Sequence, residues 1–582
     1  MTSVRKWPKT ISYLRIYPDI DDAAIEPPDL SLVDSSYYVG LEPERALELL
    51  KREEARLHKQ VVALRTLQNR YVPIYRLPDE LLAKILSLVH QSSERRICEY
   101  PSPILASSWI HLTHICRRLR EVVLQNAVFW TSVDASDVNR ARTFLRRSKG
   151  ADVSMYLDGY RLRYHVEEFV SLLKQNIHRT VALCVTLDGE TLSSFLKLVD
   201  FSLHPVRQLE LSRIGTSRTD WDTVIIPKFD PVYTEQPWAL EKLKLENVTM
   251  PWDTFAFHQL RSLHLLFPWH VGFHMPSVDR VLDILTTCPL LEHLYLQHAA
   301  PKSESAAIPH SIPSRTIELT QLRELILVFG DPDDVSRLLA HLVIPDTTEM
   351  TLCVNSFLDR HISGLLDALP LDRSGLRCIP TIRHVTMSND PGYDTPYTAG
   401  IAVHGHQTKG GKAIMKISTC VEVSPEEELT GIHCAGILNS LGPVFAVAPI
   451  ESLSVISEPL ITSVHDWRAT LSKFPQLRIL NIGTALKDIE ESDFAPFIAL
   501  RPGDDLICPC PCPNLSELKV DGALIDKDYL HSLVECLKAR AEHGIPALKK
   551  LVIVDITWAD DWDPDVSTIG SYVEDYELST LA

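Results

Sequence analysis

Glycine is scarce in this chain of 582 residues, where it occurs 22 times against 38 prolines. A loop that cradles phosphate is therefore unexpected, because such loops need several closely spaced glycines. Long apolar runs are also missing, since glycines, an asparagine and prolines break the longest uncharged stretch, residues 429–450. No membrane-spanning helix is expected there. The first residues lack the apolar core of a signal peptide, so no secretion signal is expected.

An excess of basic residues is missing as well. The 58 basic and 76 acidic residues give a net charge of −18, which argues against a nucleic-acid partner. The 12 cysteines are dispersed, mostly within apolar patterns, as is typical of free thiols in the cytoplasm or the nucleus. With 45% apolar and 23% charged residues, the chain can form a large folded core. Residues 1–40 show no period and are expected to be a loose arm.

Residues 41–72 have the pattern of an amphipathic helix. Apolar residues recur at heptad spacing, at Leu47, Leu50, Leu57, Val61 and Leu64. Five acidic and seven basic residues accompany them in the span 41–70. The favoured expectation is a helix that packs beside the next domain. Self-association through 41–70 stays open, although about three heptads are short for a stable coiled coil.

Residues 73–135 contain three blocks with helical character. The first, 77–89, begins Leu-Pro-Asp-Glu-Leu-Leu and predicts an amphipathic helix started by proline. The second, 115–120, reads Ile-Cys-Arg-Arg-Leu-Arg within a helical pattern whose opposite side is basic. The third is Phe-Trp at 129–130. A helical unit of this size is marginally stable alone, so it is expected to bury part of its apolar surface in a partner.

These three blocks, in this order, resemble the F-box. The resemblance implies binding to the Skp-type linker subunit of a cullin–RING (SCF) ubiquitin ligase, and through it to the cullin. The residues that would line the linker groove match the family pattern: Leu77, Pro78, Leu81, Leu82, Ile85, Leu86, Ile115, Cys116 and Leu119. Some of them must form the core of the box itself, and the sequence does not divide the two sets. The chain departs from the pattern in its long loop, 90–108, and in Leu119, where tryptophan is common.

Residues 136–557 repeat the pattern Leu-x-x-Leu-x-Leu, with substitutions. Ten clear copies begin at Val206, Leu240, Leu260, Leu291, Leu322, Ile382, Ile450, Leu477, Leu515 and Leu548. Weaker copies begin at Thr180, Thr347 and Lys412, and the mean interval is about 31 residues. The pattern resembles leucine-rich repeats. It predicts an α/β fold in which a small helical box precedes an irregular solenoid, with parallel strands on the concave side and helices outside.

Several segments are expected to leave this array. They are the insertions 215–237, 299–316, 389–411 and 488–513, together with a solvated tail, 558–582, which has seven acids and no base.

The sequence therefore favours an adaptor that is not an enzyme. The box would bind the linker and the repeats would bind a protein substrate, with no cofactor. The alternative is a repeat scaffold whose helical hairpin only caps the array. A nucleotide-using enzyme is disfavoured because Ala413 follows Lys412 where a phosphate-binding loop needs Ser or Thr. No metal site is expected, since Cys508, Cys510 and Cys512 do not form Cys-x-x-Cys pairs.

Overall fold

The structure is a computed structural model, and its described residues form two compact units. The first unit lies within Met1–Leu86 and His111–Val122, and the second within Ser87–Ile110 and Val123–Ala582. The described residues are 35–99, 108–159, 166–199, 206–214, 240–248, 258–267, 278–299, 315–356, 368–390, 398–422, 431–456, 463–483, 495–502, 510–521, 524–525, 527–558 and 566–580. The expected arm, apart from 35–40, and the insertion 215–237 lie outside them, as do residues 300–314, 391–397, 488–494 and 503–509 of the three other insertions.

Two prolines set the helix boundaries in the first unit. The helices that begin in it are α1 Pro43–Tyr71, α2 Asp79–Glu99, α3 Leu112–Ile115 and α4 Arg117–Gln125. Helix α1 ends because Val72 precedes Pro73 and is extended, with φ −72° and ψ 134°. A single 3-10 turn, Pro73–Arg76, leads to Leu77, which is extended for the same reason before a second proline.

The second unit is a mixed α/β structure with a large, mostly parallel sheet. Its helices are α5 Val138–Arg147, α6 Val166–Asn176, α7 Gly189–Leu198, α8 Val278–Thr286, α9 Pro332–Ala340, α10 Gly431–Val444, α11 Val464–Leu471, α12 Ala495–Leu500 and α13 Lys527–Glu542. Helices α10 to α13 pack against one another in chain order. No helix among the described residues is both long and apolar enough to cross a bilayer.

Twenty strands are found in the described residues. They are β1 Ser132–Asp134, β2 Val153–Asp158, β3 Thr180–Asp188, β4 Gln208–Ile214, β5 Lys242–Glu246, β6 Ser262–Leu266, β7 His293–Gln297, β8 Ile317–Glu318, β9 Glu324–Phe329, β10 Leu342–Val343, β11 Glu349–Ser356, β12 His384–Asp390, β13 Thr398–His406, β14 Ala413–Glu422, β15 Ser452–Ile456, β16 Ile479–Gly483, β17 Glu517–Asp521, β18 Leu524–Ile525, β19 Leu548–Trp558 and β20 Val573–Thr580. Strands β8 and β10 pair only with each other, and the rest form one sheet.

The leucine pattern and the observed strands coincide. Each of the thirteen copies, clear or weak, meets a strand of the large sheet. Neighbouring central leucines are in register, as Leu263 of β6, Leu294 of β7 and Leu325 of β9 are, and all three are buried. The residues between them are less buried, because successive strand side chains point to opposite faces of the sheet.

Strand order follows the chain except at one place. Pairing runs through β1 to β7, then β9 and β11, in parallel. Strand β11 then pairs with β14, and β12 lies beyond the antiparallel β13. From β12 the parallel order resumes through β15, β16, β17, β19 and β20. The three strands of the meander therefore lie in the sheet in the reverse of their chain order: β14 is next to β11, and β12 is next to β15.

Parts of three segments expected outside the array lie within it. The prediction that 389–411 leaves the array was wrong over Thr398–His406, since this strand, β13, pairs with strands on both sides. The prediction for 488–513 was wrong over Ala495–Leu500, because Phe497 of α12 is buried and packs edge-on to Tyr529. The tail prediction was wrong over Val573–Thr580, which pairs with β19. Each segment buries at least one apolar side chain, such as Ile401, Phe497 or Val573, despite its polar or small-residue composition.

Candidate partner-binding site

A single arginine connects the two halves of the box. Arg118 of α4 donates through Nη2 to the carbonyl oxygen of Leu77 at 2.7 Å and to Oδ1 of Asp79 at 2.7 Å. Its Nη1 donates to the carbonyl oxygen of Tyr75. The guanidinium also lies 5.6 Å from the centre of the Tyr75 ring. These four contacts, the Arg118 bracket, hold the turn before α2 against the start of α4.

Cys116 separates α3 from α4 and caps the second helix. Its backbone is extended, with φ −160° and ψ 163°, and its Sγ accepts the Leu119 amide N–H at 3.4 Å. Burial of the Tyr75 phenol raises the pKa of Tyr75 to about 12, and a hydrogen bond with Cys116 contributes in the same direction. The Tyr75 phenol is therefore uncharged at neutral pH.

The basic side of the second helix is not a uniform solvated face. Arg118 belongs to the bracket, and Nε of Arg120 donates to the carbonyl oxygen of Thr113 at 2.8 Å. Arg117 pairs with Glu121, one turn further along the exposed surface of the helix. The positioning roles of Arg118 and Arg120 were missed in the sequence, where only their charge and spacing are visible.

Burial divides the nine box residues into two main sets. Leu82, Leu86 and Leu119 are buried and form the core of the box. Pro78, Leu81, Ile85 and Ile115 are exposed, and Leu77 and Cys116 are intermediate. The contrast is sharpest between two adjacent leucines, since Leu82 is 1% exposed and Leu81 is 47% exposed.

The exposed set is apolar, and it is available to a partner. Leu81 and Ile85 lie one helical turn apart on the same side of α2. Ile74, in the turn before α2, is a further exposed apolar residue that the motif did not mark. Exposed apolar side chains grouped in this way are typical of protein–protein contact surfaces.

The third block of the box motif, Phe129-Trp130, belongs to the second unit. Both side chains are buried there, and the Trp130 indole donates to the carbonyl oxygen of Val123 at 3.0 Å. The Trp130 ring also packs edge-on against Phe144 of α5, and Arg147 covers it. Residues 132–134, the end of the expected box, form strand β1.

A row of polar side chains crosses the first part of the large sheet. Glu210, Lys244, His264 and Tyr295 are successive register partners on β4 to β7. The His264 and Tyr295 rings are 5.7 Å apart and edge-on. Burial, together with the charges of Lys244 and His293, lowers the pKa of His264 to about 4. This imidazole is therefore neutral at physiological pH.

Histidines gather where the meander enters the sheet. His384 of β12 and His406 of β13 are register partners, and the His404 and His406 rings stack 6.3 Å apart. Burial lowers the pKa of His384. Across the described residues, no group of three or more His, Cys, Asp or Glu side chains is arranged to hold a metal ion.

Lys412 and two of the three clustered cysteines, the other candidates from the sequence, contact neighbouring parts of the fold. Lys412 pairs with Glu349, and that hydrogen bond raises the pKa of Lys412. The Cys512 thiol is buried and donates to the carbonyl oxygen of Leu471 at 3.5 Å. Arg540 lies 3.8 Å from the sulfur of Cys510, while Cys508 falls outside the described residues.

Neither protein-family models nor curated proteins give a relative of this chain. No protein-family model matches the chain. No curated protein has a significantly similar sequence.

Proposed function

We propose that this chain is the substrate-recruiting adaptor of an SCF-type ubiquitin ligase, with an F-box followed by an irregular leucine-rich-repeat solenoid. The exposed residues Leu81, Ile85 and Ile115 would bind the Skp-type linker. The observation that carries the proposal is the division of the box motif into a buried core and an exposed apolar set. A partner groove explains why the same motif leaves large apolar side chains in solvent.

The repeats would bind a protein substrate on the polar face of the sheet. That face alternates acidic, basic and aromatic side chains, as at Glu210, Lys244 and Tyr295. Mixed polar surfaces of this kind give specificity through complementary charge. The adaptor itself makes no covalent bond. It would raise the concentration of substrate near the conjugating enzyme, in the cytoplasm or the nucleus.

One observation favours the alternative, a scaffold whose helical hairpin caps the array. Phe129 and Trp130 are buried in the second unit, and the next residues continue into β1, which pairs with β2. A cap would use the hairpin to cover the end of the sheet and would need no linker.

A paired substitution in the full chain distinguishes the two functions. The double variant Leu81→Asp/Ile85→Asp should retain its bound substrates but lose the linker, because charge in a desolvated apolar groove is costly. Those substrates should then be less ubiquitinated and longer-lived in cells. The control is Leu371→Asp, which changes an exposed leucine outside the box, 79% accessible. Equal half-lives with the wild-type chain and both variants would favour the scaffold.

A further inference from the structure

Helix α1 exposes an apolar seam along most of its length. No side chain within Pro43–Tyr71 is buried. The exposed fractions are 53% for Leu47, 46% for Leu57 and 61% for Leu64. The expectation that this helix packs beside the next domain was therefore wrong within the described residues. A long amphipathic helix in water is stabilised mainly by packing of its apolar face, and no described residue buries that face of α1.

The spacing of the seam matches a two-stranded coiled coil. Leu50, Leu57 and Leu64 fall at one core position of successive heptads, and Leu47 and Val61 fall at the other. Glu54 occupies the remaining core position between Leu47 and Val61. The seam is thus self-complementary in shape but carries one acid near its middle.

Charge is divided unequally between the two halves of the helix. All five acids of the 41–70 span are in its first half, at Glu42, Glu44, Glu48, Glu53 and Glu54. Three bases, Arg45, Lys51 and Arg52, reduce the net charge of that half to −2. The second half has only bases, Arg56, Lys59, Arg65 and Arg70, and a net charge of +4. In a parallel pair, Glu54 would face Glu54 of the second copy, and the two basic halves would lie side by side. In an antiparallel pair, each basic half lies beside an acidic half.

We propose that α1 pairs antiparallel with α1 of a second copy of this chain. In the register that fills the seam, Leu47 packs on Leu64 of the second copy, and Leu50 on Val61. Leu57 then lies opposite Glu54, and Glu44 lies beside Arg65 at each end. The helix is roughly 43 Å long, and its interface is at the small end of specific contacts. The dimer is therefore weak and depends on concentration.

Sedimentation equilibrium of the full chain tests the seam. The wild-type chain should approach twice its mass of 65.7 kDa as concentration rises. Leu57→Asp should weaken the dimer about 100-fold, because it places a charge in the seam. The matched control is Val62→Asp. Val62 lies off the seam, and its exposed fraction of 48% is similar to the 46% of Leu57. Circular dichroism would check that both variants keep their helix content.

Two results would overturn the proposal that two copies of the chain pair through this seam. One is a wild-type chain that remains monomeric up to on the order of 100 µM. The other is a dimer that Leu57→Asp leaves intact, or that both variants weaken equally.

Charge exchange tests the orientation. Glu44→Arg and Arg65→Glu should each weaken the dimer about tenfold, since each replaces two attractive pairs by repulsion. The double variant should recover wild-type affinity, because the pairs are restored with signs exchanged. In a parallel dimer these residues would be roughly 31 Å apart, far beyond the screening length of about 8 Å. A double variant no tighter than the single variants would overturn the antiparallel arrangement.

Discussion

The guanidinium of Arg118 lies over the ring of Tyr75, 5.6 Å from its centre, and donates to the backbone on the same turn. Forty-three residues separate these two side chains in the sequence. The contact joins the start of α2 to the start of α4 and so fixes the helix that exposes Leu81 and Ile85. The ion pair with Asp79 adds little to stability, because that carboxylate is mostly exposed.

Loss of the Arg118 bracket should loosen the start of α2. Arg118→Ala removes charge-assisted hydrogen bonds to two carbonyl oxygens, and we expect local stability to fall by about 1–3 kcal/mol. Amide hydrogen exchange over residues 77–86 measures this directly. Arg117→Ala is the control, since its pair with Glu121 lies on the surface, and it should change exchange little. Equal protection in both variants would contradict the positional role of the bracket.

Truncation should destabilise the box at Leu82 but have little effect at the adjacent Leu81. Leu82→Ala should destabilise the box by about 2–5 kcal/mol, because it opens a cavity in the core. Leu81→Ala should change stability by less than about 0.5 kcal/mol, because the side chain is already in solvent. Urea unfolding followed by hydrogen exchange in α2 separates the two. A similar loss in both would mean that the division into buried and exposed sets is wrong.

The central leucine of β9 should be essential to its part of the sheet. Leu325 is buried, with Leu294 and Met350 as its register partners. Leu325→Ala should cost about 2–5 kcal/mol in the free energy of unfolding. The neighbouring Ile326→Ala, on the other face of the same strand, should cost much less. Circular dichroism melts in which Ile326→Ala is the less stable variant would contradict the assignment of Leu325 to the buried face of β9.

Acid should destabilise the large sheet through His264. The folded-state pKa of this group is about 4 against 6.5 for an unperturbed histidine, so the unfolded chain binds the proton more tightly. Stability is complete above pH 6.5 and falls as the pH drops toward 4, by up to about 3 kcal/mol for this group. Urea titrations at several pH values, with wild type and His264→Gln, measure it. A variant whose stability keeps the full wild-type slope between pH 6.5 and 4 would exclude His264 as a cause.

The leucine repeat made most of the sheet predictable. Buried leucines at every second residue are typical of a β-strand and of few other structures. Each copy of the pattern therefore coincides with a strand. Strands β1 and β2 were missed because they lack the leucine spacing, and β20 because its acids outweigh two apolar positions in composition. The reversed order of β12 and β14 depends on pairing between distant segments, which no local pattern encodes.

The sequence names the candidate residues of the box but not which of them are buried and which are exposed. The motif named nine candidate residues and treated Leu81 and Leu82 alike, whereas the folded chain buries Leu82 and exposes Leu81. Arg118 was visible only as one of several basic residues. Its role depends on carbonyl oxygens about forty residues away, and those contacts form only in the folded chain.

Direct titration of the purified full chain with a purified Skp-type linker is the most direct test of the proposed function. We predict saturable binding by the wild-type chain and by Leu371→Asp, and a loss of at least about 100-fold in affinity for Leu81→Asp/Ile85→Asp. Unchanged affinity in the double variant, or no binding by the folded wild-type chain, would contradict it.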